Sequence, residues 1–139
     1  MINFDEYRDV FVVADTIDDV VHPVTYELIG QARRIAKELG QLVQVMLLGE
    51  NVQAEAEELV AHGADIVHVF ESPLLKYYTT DGYTKVLTDF FEDHKPNILL
   101  IGATNNGRDL APRMSGRMQN GVVADCTILT VDTEEGLVE

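Results

Sequence analysis

The sequence is poor in cysteine and in long apolar runs, and each shortage excludes a class of protein. Cys126 is the single cysteine, so no intramolecular disulfide can form and no CxxC or Cys/His cluster is present for zinc. Apolar runs such as 10–14 and 98–101 are strand-sized, far short of the roughly 20 residues that span a bilayer. The N-terminal residues 1–7 lack the basic flank and apolar run of a secretory signal. We therefore expect a cytoplasmic chain without a membrane anchor.

Positive charge is also scarce. The chain carries 24 acidic residues against 10 basic ones, a formal net charge of -14. Such a charge repels nucleic acid at long range and disfavours general binding to a phosphate backbone. Most of it is explained by solubility through mutual repulsion, so any anionic ligand has to be bound by a local arrangement of donors.

The usual patterns of covalent catalysis are missing as well. No GxSxG nucleophile elbow is present. Cys126 follows Asp125, a neighbour that disfavours the thiolate, so it is interpreted as a small buried apolar residue. The histidines are scattered over positions typical of structural roles: His22, His62, His68 and His94. We therefore expect no catalytic residues and no metal site in this segment.

What is present is an alternation of β-branched apolar runs with segments of helical period. This alternation is typical of βαβ units, so we predict one α/β domain: a doubly wound parallel sheet between two helical layers. The predicted strands are 10–14, 42–48, 66–70, 98–101 and about 126–131. Two strand orders are common for five strands, 3-2-1-4-5 and 2-1-3-4-5, and the lack of a glycine-rich turn after the first strand favours 3-2-1-4-5.

Helix starts are predicted from capping residues and proline. Pro23 suits the opening turn of the first helix, and Asn51 and Asp81 are candidate caps of the second and third. Pro112 lacks the N–H needed from the second turn onward, which makes Asp109 the predicted cap of the fourth helix.

Two segments point beyond a simple sheet and helices. Residues 71–80 are too apolar for a free loop and are expected to lie on this domain or on a partner. Residues 137–139 resemble a returning strand cut in its second arm, so we expect further polypeptide after Glu139 in the native protein.

A ligand crevice is expected where the strand order reverses, between the loops 15–19 and 103–109. The second loop combines glycines for tight backbone, two asparagine amides, an arginine fork and a following helix N-terminus, which together suit an anion. An Asn-Gly turn before an ordinary capped helix explains the same residues equally well. The candidate binding residues are Thr104, Asn105, Asn106, Gly107 and Arg108.

Neighbouring charges are assigned as follows. Three of the six arginines, Arg108, Arg113 and Arg117, fall within one short window. Arg108 is placed for the crevice, whereas Arg117 lies near the helix end and suits the helix dipole. Asp15 in the first loop can meet a ribose hydroxyl or solvate a strand end, and the second role is favoured. The loop matches neither GxGxxG nor GxxxxGK[ST], so neither phosphate motif is claimed.

The run Gly102-Ala103-Thr104-Asn105-Asn106-Gly107-Arg108-Asp109-Leu110-Ala111-Pro112-Arg113, followed by Gly121 and Ala124-Asp125-Cys126-Thr127, carries a specific resemblance. It resembles the N-terminal domain of the electron transfer flavoprotein alpha subunit, over essentially all of residues 1–139. The resemblance implies a subunit of an FAD-containing heterodimer that carries electrons between dehydrogenases, of the acyl-CoA type or another, and a redox partner. It implies no catalysis by this domain itself.

The resemblance also implies where cofactors lie. FAD is bound mostly by a C-terminal domain of the alpha subunit, absent from this chain, and the beta subunit's corresponding loop holds AMP or, in bifurcating members, a second FAD. Residues 104–108 are then candidates for a cofactor wall or for subunit packing. The fold implied is of the adenine nucleotide alpha hydrolase type. The alternative function is a free-standing adenine-nucleotide-binding module of the universal-stress type; a nucleotide hydrolase lacks the catalytic groups.

Overall fold

A computed structural model describes residues 9–17, 19–94, 97–117, 127–132 and 136–138. The strands are β1 (Val10–Val13), β2 (Thr16–Ile17), β3 (Val20–Val21), β4 (Val43–Gly49), β5 (Ile66–Glu71), β6 (Ile98–Gly102), β7 (Thr127–Asp132) and β8 (Gly136–Val138). The helices are α1 (Val24–Leu39), α2 (Gln53–Ala61), α3 (Thr80–Asp93) and α4 (Asn105–Arg117), with a short 3-10 turn at Pro73–Leu75.

Six strands form the main sheet in the order β5-β4-β1-β6-β7-β8. β1 pairs in parallel with β4 and with β6, β5 extends the parallel sheet on one side and β7 on the other. The five parallel strands therefore follow the predicted order 3-2-1-4-5, which is confirmed. The returning strand is confirmed too, because β8 pairs antiparallel with β7.

The central strands are continuous apolar runs because both faces of the sheet are covered. Every residue of β1 and of β4 is buried. One face packs under α1 and α2, where Leu28, Ala32 and Leu59 join the side chains of alternate strand residues. The other face packs under α3 and α4 around Phe11, where the remaining core side chains include Leu87, Phe91, Leu99, Leu110 and Met114.

The start of α4 differs from the prediction. The helix begins at Asn105, so Pro112 lies in its interior and Asp109 in its second turn instead of at its cap. Pro112 removes the helical hydrogen bond to the carbonyl of Arg108. Both residues are exposed, so the missing helical bond lies at the protein surface and not in the core. The prediction that Pro112 lies in the first turn of the fourth helix is therefore wrong, because an exposed part of a helix tolerates the loss of one backbone hydrogen bond.

The caps of α2 and α3 also differ from the prediction. α2 begins after Val52 without a side-chain cap, and the backbone N–H of Asn51 donates to Asp19 Oδ2 at 3.2 Å. α3 is capped by Thr79, whose hydroxyl accepts from Gly82 N–H at 3.3 Å, while Asp81 lies in the first turn. These helix starts depend on contacts that sequence spacing does not reveal.

Two loops are more structured than expected. Residues 15–19 were expected as a polar loop, but β2 and β3 form a small antiparallel hairpin there. Within 71–80, the expectation of a docked segment is confirmed for Leu75, which is buried in the core. Leu74 is 84% exposed, so the segment lies only partly on this domain.

Among the helices that the structure describes, none has the length and apolar content to cross a membrane. The predicted strand position of Cys126 lies outside the described residues.

Candidate functional site

The strand order reverses between β1 and β6, and the loops that leave these two strands meet at the carboxyl edge of the sheet. β1 leads toward α1 on one face, while β6 leads into α4 on the other. The Thr104 hydroxyl donates a short hydrogen bond to Asp15 Oδ2, across 89 residues of sequence. The predicted meeting of these two loops is therefore what the structure shows.

Thr104 also begins α4. Its hydroxyl accepts a hydrogen bond from the backbone N–H of Gly107 at 3.1 Å, the bond that an N-cap threonine makes to the third helical residue. Asp15 in turn donates its backbone N–H to Thr25 Oγ1 at 3.0 Å, at the start of α1. The pair thus ties β1, α1 and α4 together, and Asp15 does more than solvate a strand end.

Glycine is required at position 107 because the helix backbone crosses the end of β6. A Cβ added at Gly107 would overlap the carbonyl oxygen of Gly102 and would lie 3.1 Å from Ile101 Cγ2. The obstacle is backbone that cannot swing aside. Gly107 therefore serves close packing of α4 on the sheet.

A buried tyrosine fills the space beneath the two loops. Tyr83 is 3% exposed, and its hydroxyl lies 3.4 Å from the carbonyl oxygens of both Leu48 and Leu75 and 3.3 Å from Thr16 Oγ1. Burial raises the pKa of Tyr83 above its usual value. Its ring packs edge-on against Tyr78 at 5.0 Å between centroids. Two aromatic rings thus occupy the inner part of the crevice.

Tyr78 closes the site from the α4 side. Its hydroxyl donates to Asp109 Oδ2 at 2.7 Å, and the Thr80 hydroxyl donates a short hydrogen bond to the same oxygen. These two bonds, with a smaller contribution from Arg113, hold the pKa of Asp109 below its usual value. Burial raises the pKa of Tyr78 to about 12. Asp109, predicted as a helix cap, is instead the acceptor that fastens the 72–80 segment to α4.

The cavity left between these groups is about 20 Å³. That volume holds about one water molecule and no nucleotide base. Its lining combines the ends of β1 and β6, both tyrosines and the first turn of α4: Val13, Ala14, Asp15, Thr16, Tyr78, Tyr83, Ile101, Gly102, Asn106, Gly107 and Leu110. The space that the described residues enclose in the crevice is therefore too small to enclose an adenine base.

The five predicted site residues divide into two groups. Asn106 and Gly107 line the small cavity, and Thr104 bonds to Asp15 beside it. Asn105 and Arg108 are exposed on the first turn of α4 and are not part of the lining. The sequence did not identify the two tyrosines that close the crevice. Tyr83 recurs at helical spacing with Leu87 and Phe91, a pattern that predicts only a buried core position on the third helix.

An exposed apolar patch lies at the same edge, and we call it the carboxyl-edge patch: Ile17, Val20, Leu74 and Tyr77. These side chains are 60%, 62%, 84% and 64% exposed. Asp19 lies between Ile17 and Val20 in the sequence, in the β2–β3 turn. It has a φ of 64°, and its carboxylate accepts the backbone N–H of Glu50 at 2.9 Å. The carboxylate of Glu50 forms an ion pair at 3.9 Å with Lys76, which lies between Leu74 and Tyr77 in the sequence. The exposed apolar side chains of the patch are thus accompanied by polar contacts that hold their segments in place. Exposed apolar patches with polar surroundings are typical of surfaces that contact other polypeptide.

Residues 10–139 match the family described as Electron transfer flavoprotein domain. The chain belongs to this family. It is 45% identical over 130 residues to the electron transfer flavoprotein subunit alpha of Megasphaera elsdenii, covering 94% of this chain and 38% of that protein. It is also 45% identical over 133 residues to the lactate dehydrogenase (NAD(+),ferredoxin) subunit LctC of Acetobacterium woodii, covering 96% of this chain and 32% of that subunit.

The resemblance to the N-terminal domain of the alpha subunit is thereby confirmed. The chain spans about a third of the length of these electron transfer flavoprotein relatives. Among solved structures, a universal stress protein from Archaeoglobus fulgidus in complex with dAMP superposes with a TM-score of 0.57 at 15% identity, covering 91% of this chain and 98% of that one. At that identity the likeness shows the fold alone.

Proposed function

We propose that this chain is a non-catalytic domain of the alpha subunit in an FAD-containing heterodimer that carries electrons between dehydrogenases and a redox partner. Family membership and relatives with that subunit name support the proposal. A further relative, from Anaerotignum propionicum, is named acryloyl-CoA reductase electron transfer subunit beta, which favours a dehydrogenase of the acyl-CoA type among the redox partners.

The closed crevice is the observation that carries the proposal. With Tyr83 and Tyr78 inside, the space that the described residues enclose at the switch point is about 20 Å³, too small to enclose a flavin or a nucleotide base. In line with the family resemblance, we propose that FAD is bound mainly by the C-terminal part of the complete subunit and that AMP or a second FAD belongs to the beta subunit. The role left for this domain is to hold other polypeptide in place.

The candidate residues then take contact roles. Thr104 and Gly107 shape the start of α4, and Asn105 and Arg108 are exposed polar residues of the first turn of α4, beside the crevice. We propose that the remainder of the same subunit covers this edge. Arg108→Ala should then lower flavin retention in the complete protein more than Arg117→Ala, a matched exposed arginine at the end of α4. Equal retention in the two variants would count against this assignment.

Colour is the direct test of the proposed function. The chain purified alone is expected to be colourless, whereas the complete alpha subunit assembled with the beta subunit is expected to show flavin absorbance. Yellow protein with about one flavin per isolated chain would overturn the proposal.

Calorimetry with AMP and ATP tests the alternative, a free-standing adenine-nucleotide module. A closed crevice predicts no measurable heat of binding for either nucleotide to the chain alone. Micromolar affinity would support the module and remove the main argument for the carrier subunit.

A further inference from the structure

A groove on the outer face of α1 stands apart from the crevice. Four residues at helical spacing i, i+3, i+4 and i+7 share this face: Gly30, Arg33, Arg34 and Lys37. All four are exposed, and they border a groove of about 480 Å³ that reaches Gln41, Val43 and Asp65 at the amino edge of the sheet. We call this surface the α1 groove. A second depression of about 380 Å³ continues it past Gly30 to Glu27.

Charge sets the groove apart from the rest of the molecule. Three of the 10 basic residues lie here, on a chain with a net charge of -14. Among the described residues, Arg33, Arg34 and Lys37 form no ion pair, whereas Arg113 on α4 pairs with Asp81 at 2.6 Å. An acidic partner is repelled by most of this surface, and the α1 groove offers it a local attraction.

One cation is already held in place. The Arg33 side chain packs over Gly63, whose φ of 118° excludes most side chains, and a Cβ at position 63 would come within 2.5 Å of Arg33 Cδ. A guanidinium positioned by packing loses less conformational freedom when it binds a carboxylate. The Arg33 side chain is therefore preorganised to bind an anionic group.

No contact or backbone conformation within the described part of this chain requires a glycine at position 30. A Cβ added there would meet nothing within 4 Å, and its backbone is helical, so neither space nor conformation requires glycine. Glycine weakens a helix interior relative to alanine. A bare backbone in the middle of a cationic stripe instead permits close approach by another chain.

Exposed leucines close in sequence to the residues that line the groove favour a protein occupant over a small anion. Leu39 and Leu42 flank Gln41 in the sequence and are 46% and 45% exposed. A phosphate or a metabolite carboxylate makes no use of exposed leucines, whereas a protein segment buries them. The occupant should therefore combine carboxylates with apolar side chains.

We propose that the α1 groove binds an acidic, partly apolar segment of the second subunit, with its backbone against Gly30 and its carboxylates on Arg33, Arg34 and Lys37. The proposal rests on the proposed heterodimer. It assigns the second subunit to the α1 side and leaves the carboxyl-edge patch to the remainder of the same subunit.

The test measures the affinity of the complete alpha subunit for the purified beta subunit in low salt. Arg34→Glu should weaken binding at least tenfold, and Lys85→Glu, an equal charge reversal on α3, should change it less than twofold. Gly30→Gln should weaken binding at least tenfold by filling the groove, while Gly116→Gln, at the other exposed helical glycine with open space, should not. Thermal unfolding of each variant alone shows whether the fold is kept.

Salt supplies an independent readout. Raising the ionic strength should weaken the wild-type complex and reduce the difference between wild type and Arg34→Glu, because charge contacts at a surface are screened. Wild-type affinity in both Arg34→Glu and Gly30→Gln would overturn the inference and leave the proposed function standing. Failure of the wild-type subunits to associate would instead overturn the proposed function.

Discussion

Thr104 and Asp15 are joined by a hydrogen bond between side chains at the exits of the two strands that flank the switch point. The same Thr104 hydroxyl accepts the backbone N–H of Gly107. One hydroxyl thus fixes the position of the first loop and the first turn of α4 together. In a fold whose ligand sites lie between these loops, this bond sets the shape of the crevice.

Thr104→Val should destabilise the chain by about 1–2 kcal/mol, because it removes a helix cap and leaves Asp15 without this donor. Urea unfolding measures the loss. Thr104→Ser keeps the hydroxyl and should retain most of the stability, and a serine variant as unstable as the valine one would show that the methyl group matters instead of the hydrogen bonds.

Gly107→Ala should be far more disruptive, with a loss of about 3 kcal/mol or more, because the new methyl group would overlap the Gly102 backbone carbonyl. Gly116→Ala is the matched control in the same helix, since its Cβ would meet nothing within 4 Å. The control should be neutral or stabilising by up to about 1 kcal/mol. Similar unfolding midpoints for the two variants would contradict the close approach of α4 to β6.

Tyr83→Phe should cost about 1–2 kcal/mol, because it leaves the buried carbonyl of Leu48 and the Thr16 hydroxyl with one partner fewer. Chemical unfolding is again the measurement. Tyr77→Phe is the control, since Tyr77 is 64% exposed and its hydroxyl is expected to contribute little. A Tyr83→Phe variant as stable as wild type would mean that the hydroxyl is not needed to close the crevice.

The sheet could be predicted because its information is local. β1 is an unbroken apolar run and β4 is apolar except for Gln44, and the right-handed crossovers then leave few possible orders. Helix starts were harder, because the stabilising groups come from distant segments. The carboxylate of Asp19 bonds the backbone N–H of Asn51, and Glu71 Oε2 accepts Val52 N–H at 2.9 Å. A short window of sequence contains neither relationship.

The crevice shows the same division. The sequence left an anion site and an ordinary capped helix equally open at Thr104 and Gly107, and the structure shows that Thr104 caps α4 and that Gly107 packs closely on β6. A further constraint comes from Tyr83, which belongs to α3 and reaches Thr16 of β2 and Leu48 of β4 only in the folded chain. Tyr83 recurs at helical spacing with Leu87 and Phe91, which predicts that Tyr83 is buried but not which groups its hydroxyl contacts.

A chain of polar contacts at the opposite edge of the sheet predicts a dependence of stability on pH. His68 Nε2 lies 2.6 Å from Gln44 Oε1, and Gln44 Nε2 donates to Asp9 Oδ2 at 2.6 Å. Because the Gln44 oxygen is then the acceptor, His68 carries a proton on Nε2 and donates from it. Burial, and then the nearby His94, lower the pKa of His68.

The sign follows from proton binding. In the unfolded chain His68 takes up a proton as pH falls through about 6.5, whereas in the folded chain it is protonated only at lower pH. The free energy of unfolding should therefore fall as pH drops from about 7.5 to about 5.5. His68→Gln keeps a donor toward Gln44 without a titrating group, so its stability should fall less over this range. His62→Gln, an exposed histidine on the other helical layer, is the control, and equal pH slopes for wild type and His68→Gln would contradict the assignment.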